Sequence, residues 1–114
     1  MVDRVEHEEH EIRIDVDDSA DGDRLARIRG VLDVFSSPAL ATRALANLPD
    51  KTRDLIIDLR EVSFVDSAGV SALVRLQQEA KGRAVEVRAR FGGAQHTINA
   101  TVVDVLRRVL SVDD

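Results

Sequence analysis

The strongest constraint on this chain is a change of hydrophobic period at Asp66-Ser67. Before it, Leu55-Ile56-Ile57-Asp58-Leu59 is a short apolar block rich in β-branched residues, which predicts a buried strand. After it, Gly69, Leu73, Leu76 and Ala80 recur at helical spacing, with Val70 and Val74 beside them. Ser71, Arg75, Gln78 and Glu79 fall on the opposite face. Asp and Ser are both helix-capping types, so the helix is expected to begin at this pair. A hydroxyl in the first helical turn meets unpaired N–H groups and the positive end of the helix dipole, where an added phosphate is well placed. Ser67 therefore has two readings: a cap, or an exposed hydroxyl open to modification.

The rest of the chain falls into place around that switch. Residues 1–11 are rich in Glu and His and read as a flexible lead-in. Ile12, Ile14 and Val16 alternate with Arg13 and Asp15 as a half-exposed strand. A polar turn containing Gly22 leads to a second strand through Leu25, Ala26, Ile28 and Val31, with Arg24, Arg27 and Arg29 expected outward. Gly30 suits a bulge. Ser37-Pro38 predicts a helix start, with Ser as cap and Leu40, Ala44, Leu45 and Leu48 as its apolar stripe. Val85, Val87, Ala89 and Phe91 form the next strand, and Thr101 with Asp104 opens a last helix bearing Val102, Val103, Leu106, Val109 and Leu110. The order β-β-α-β-α-β-α predicts an α/β fold: a single domain over 12–114, built as a mixed sheet with helices mainly on one face. Ile56, Val65, Leu73 and Leu76 are the expected core markers.

Composition narrows the chemistry. Aromatics make up 3% of the chain and the net charge is −5, so neither base stacking nor phosphate-backbone binding is supported. The chain has no Cys, hence no disulfide framework, thiolate metal site or thiol nucleophile. No apolar run approaches membrane-spanning length, and the charged N-terminus lacks a signal-peptide core, so the expectation is a cytoplasmic protein. His7 and His10 lack a third fixed ligand type, so no metal is expected there. Ser67, His96 and Asp33 would have to meet from three distant loops to form a catalytic triad, and Gly-x-Ser-x-Gly is absent. No enzyme constellation and no cofactor site emerges.

Three segments carry a family resemblance: Arg29-Gly30-Val31-Leu32-Asp33, Leu55-Ile56-Ile57-Asp58-Leu59, and Val62-Ser63-Phe64-Val65-Asp66-Ser67-Ala68-Gly69-Val70. In order and spacing they resemble the STAS domain of anti-sigma factor antagonists, with its Gly-x-Leu-Asp and Asp-Ser-Ser-Gly segments. The resemblance covers roughly Ile12 to Leu110 and implies a STAS-like fold. It implies as partners an anti-sigma factor of the Ser/Thr kinase type and a cognate phosphatase, with no nucleic acid and no membrane. It implies Ser67 as the phosphorylated residue, and Asp33, Asp66, Ser67, Ala68, Gly69 and Ser71 as the partner-binding set. For Asp33 a plain turn or capping role stands beside that one. An unswitched STAS scaffold, or a subunit of a larger assembly such as a lipid-transport complex, is the alternative. Ala68 replaces the second Ser of the motif, and the chain differs from the pattern around Gly92 to Ala100. It also ends near Val112, which leaves the C-terminal sheet edge as a candidate homodimer surface.

Overall fold

Alternating side chains build the first strand, β1 (Ile12–Asp18), which turns through Gly22 at φ +93° into β2 (Asp23–Leu32). The computed structural model describes residues 12–92 and 98–112. After β2, a 3-10 turn (Ser37–Ala39) leads into the short helix α1 (Leu40–Ala44). Then come β3 (Asp54–Val65), α2 (Ser67–Lys81), β4 (Glu86–Arg90), α3 (Ala100–Val109) and the two-residue β5 (Ser111–Val112). The sheet runs β1-β2-β3-β4-β5; β1 and β2 are antiparallel and the other three pairings are parallel. This is the mixed α/β architecture expected from the sequence.

One parity of the strands is buried and the other is charged, as expected where helices cover one face of a sheet. Ala26, Ile28 and Leu32 of β2, Leu55, Ile57 and Leu59 of β3, and Val87 and Ala89 of β4 are buried. They share one core with Leu40 and Ala44 of α1, Leu73, Leu76 and Ala80 of α2, and Leu106 of α3. On the other face, Arg27 pairs with Asp17, Arg29 with Glu61, and Arg88 with Asp54. Asp58 also belongs to that face. Burial pushes its carboxyl up, but the hydrogen bonds from the Arg60 side chain and backbone outweigh this and hold the group below its ordinary value.

Four local expectations are corrected. Ile56 is half-buried beside the charged parity, so Ile57 is the core residue of that pair. Arg24 does not point outward: it is 2% exposed, because its guanidinium closes the end of α1. Its Nε and Nη2 donate to Asp18 at 2.7 and 3.0 Å, and its Nη groups donate to the carbonyls of Ala44, Ala46 and Asn47 at 2.7–3.2 Å. Those carbonyls come at and just after a helix end, where partners are lacking. Ser37 does not cap; Ser36 precedes the turn, and its side chain makes no capping bond to it. The last helix is capped by Asn99, whose side chain accepts from Thr101 N at 2.7 Å. At the C-terminal edge, Ser111 and Val112 pair in parallel with Arg88 and Ala89 of β4. His7, His10 and His96 lie outside the described residues.

Candidate functional site

β2 and β3 end side by side. Leu32 pairs with Val65, and Asp66 N donates to Leu32 O at 3.2 Å, so Asp33 and Asp66 follow from neighbouring strand ends. The register shifts twice on the way, between Arg27 and Arg29 and between Gly30 and Val31, with an extra β3 residue at each shift. Gly30, at φ +105°, occupies a backbone region that disfavours other residues and permits the second shift. The shifts break the alternation of β3 and leave Phe64, opposite Val31, 51% exposed.

α2 starts where the period change predicted. Asp66 is the cap: its backbone is extended and its Oδ1 accepts from Gly69 N at 2.9 Å. Ser67 is then the first helical residue. It is exposed, and its hydroxyl makes no hydrogen bond among the described residues. The capping role that sequence alone could have given to Ser67 belongs to Asp66. Ala68 is half-buried and Ser71, one turn on, is exposed. Gly69 is buried against the end of β2: a Cβ there would stand 2.4 Å from Leu32 O and 2.8 Å from a Val65 methyl. Glycine inside a helix costs about 1 kcal/mol relative to alanine. The close approach of helix to strand explains why it is tolerated here.

Asp33 is 8% exposed and folds the loop after β2. Its Oδ1 accepts from Phe35 N at 3.0 Å and Ser36 N at 3.1 Å. The Ser36 hydroxyl donates to Val31 O at 2.6 Å and accepts from Asp33 N at 3.0 Å. This buried knot leaves Val34 59% and Phe35 70% exposed. The motifs and spacing that point to Asp33 and Asp66 pass over Val34 and Phe35. A signal was available, since two apolar residues in a row sit between Asp33 and Ser36-Ser37-Pro38. The chain has three Phe residues in all, and two of them, Phe35 and Phe64, lie on the surface at these strand ends.

The site thus joins a solvated hydroxyl at a helix N-terminus to an apolar rim held by buried polar groups. Among the described residues, no cluster of acidic or histidine side chains is arranged to hold a metal, and no helix is long and apolar enough to cross a membrane.

A sequence profile of the STAS domain matches residues 11–90. No curated protein matches the chain by sequence. Among solved structures, the Bacillus anti-sigma factor antagonist SpoIIAA in its unphosphorylated form is similar, with TM-score 0.65 and 16% identity over 90% of this chain and 88% of that one. An anti-sigma factor antagonist from Mycobacterium paratuberculosis gives TM-score 0.55 at 26% identity, over 86% of this chain and 93% of the other. The murine anion transporter Slc26a9 gives 0.63 at 20% identity, covering 79% of this chain but 14% of the transporter.

Proposed function

Because this chain belongs to the STAS domain family, we propose that it is an anti-sigma factor antagonist: a non-enzymatic protein that binds an anti-sigma factor of the Ser/Thr kinase type and is switched off by phosphorylation of Ser67. In this reading the kinase moves the γ-phosphoryl group of ATP to Ser67 Oγ, which loses its proton, and ADP leaves. A phosphatase restores the hydroxyl. The cycle takes place in the cytoplasm and controls sigma-factor-dependent transcription.

The observation that carries the reading is the exposed Ser67 hydroxyl, relieved of capping by Asp66. A phosphate there adds about −1.5 to −2 charges. The helix N-terminus accommodates that charge internally, so the fold is retained. A partner seated on Val34, Phe35 and Phe64 would have to desolvate the new charge or face it, which weakens the complex. Asp66, Ser67, Ala68 and Ser71 supply contacts. Asp33 and Gly69, both buried, serve the same surface by positioning it. The likeness of both antagonist structures over most of their length supports the reading.

A second reading is an unswitched interaction module inside a larger assembly, favoured by the likeness to one part of an anion transporter. The test is direct. The protein is incubated with its cognate anti-sigma kinase and ATP and then mapped by mass spectrometry. One phosphate on Ser67, absent from Ser67→Ala, is expected. No phosphate, with binding intact, favours the module.

A further inference from the structure

Among the described residues, β1 lies at the edge of the sheet and pairs on one side only, with β2. It is seven residues long, whereas the opposite edge, β5, has two. Such an edge is a template for another strand unless it is blocked. Its chemistry is arranged to complement itself. On the helix side, Ile12 is buried, Ile14 is half-buried and Val16 remains 39% exposed. On the other side, the inner charges find partners within the chain: Asp17 with Arg27 at 3.3 Å and Arg29 with Glu61 at 3.0 Å. Arg13 and Asp15 are exposed and have no ion-pair partner among the described residues; Arg13 stands opposite a like charge, Arg29, and Asp15 stands opposite Arg27, whose guanidinium pairs with Asp17 instead. Arg43 Nη1 donates to Ile12 O at 3.1 Å and ties the start of the strand to α1.

We propose that two copies of this chain join edge to edge through β1, antiparallel and about a two-fold axis at Ile14, making one continuous ten-stranded sheet from two five-stranded ones. In this register Ile14 faces Ile14 of the second copy, and Ile12 faces Val16. Arg13 faces Asp15, twice by symmetry. Both unpaired charges are then matched, and the exposed Val16 gains an apolar neighbour. The register that centres on Asp15 instead would set two like charges against each other and is disfavoured. An interface of one strand is below about 1,000 Å², so the dimer is weak and reversible. The inference does not rest on the Ser67 reading, since β1 contributes nothing to that site.

Sedimentation equilibrium of the full chain from about 10 µM to about 1 mM tests it, with circular dichroism as the check on folding. The mass is expected to rise from 12.6 kDa toward twice that value. Arg13→Asp alone and Asp15→Arg alone should each weaken self-association by about tenfold or more. An equimolar mixture of the two variants should recover it, because each then presents one sign of charge to the other. That recovery also shows that both variants fold. A wild type that stays monomeric throughout, variants that dimerise undiminished, or a mixture that does not recover would each overturn the proposal.

Discussion

The two ends of β2 treat buried polar groups in opposite ways. At its start, Arg24 is enclosed with every donor directed at Asp18 or at carbonyls around the end of α1. Just past its far end, Asp33 is also enclosed, yet its bonds fold a loop that holds Val34 and Phe35 in solvent. Beside that loop, α2 opens with an exposed Ser67. The first end uses buried charge to close the structure. The second uses it to present a surface. A buried polar residue alone therefore does not mark the candidate site; what distinguishes it is apolar surface kept exposed by a buried polar frame.

Removing each frame should separate the two. Arg24→Ala strips donors from three carbonyls and should cost about 3–5 kcal/mol in denaturant unfolding, while any folded fraction keeps the proposed partner-binding surface. The same contact has an acid signature. The hydrogen bond from Arg24 holds the Asp18 carboxyl below its ordinary 3.8, so its contribution is present above that value and is lost as pH falls through the lower, folded-state value. In Arg24→Ala the acid side of the stability profile should be flatter. A mutant as acid-sensitive as the wild type would dissolve this half of the comparison.

Asp33→Ala should cost less, about 1–3 kcal/mol, and should also weaken partner binding, because the loop that carries Phe35 loses its anchor. Stability loss with unchanged affinity would make Asp33 a turn residue only. Gly69→Ala should cost a similar amount, about 1–3 kcal/mol, since the new methyl group must push α2 away from Leu32 O. A stabilised Gly69→Ala would mean that the close approach is absent in solution. Phe35→Ala should change stability by less than about 0.5 kcal/mol but lower partner affinity by more than about 1 kcal/mol, as read by calorimetry. That split, function without stability, is the sharpest form of the contrast.

The period change at Asp66-Ser67 made α2 legible in detail. Gly69, Leu73, Leu76 and Ala80 are buried, and Ser71, Arg75, Gln78 and Glu79 are exposed, as their spacing required. Local signals failed where tertiary contacts decide. An arginine at the start of a strand, between Asp23 and Leu25, reads as outward, and nothing nearby in sequence shows that the carbonyls of Ala44, Ala46 and Asn47 will meet Arg24. Strand β3 runs through Arg60-Glu61 because the register shifts absorb the extra residues, which no alternation pattern encodes. At the site, the sequence offered two adjacent capping types; geometry gave the cap to Asp66 and left Ser67 exposed. The apolar rim was hidden for a related reason, since burial of Asp33 and exposure of Phe35 depend on a loop closed by Ser36.

The central claim is that charge at Ser67 acts on the interface and not on the fold. The direct test is the affinity of the anti-sigma factor for enzymatically phosphorylated protein against unphosphorylated protein, by isothermal titration calorimetry at one ionic strength. Phosphorylation should weaken binding by about 2–5 kcal/mol, a loss of roughly thirtyfold or more, with the thermal midpoint nearly unchanged. Equal affinity for the two forms would contradict the account, and so would a loss of binding that merely follows unfolding.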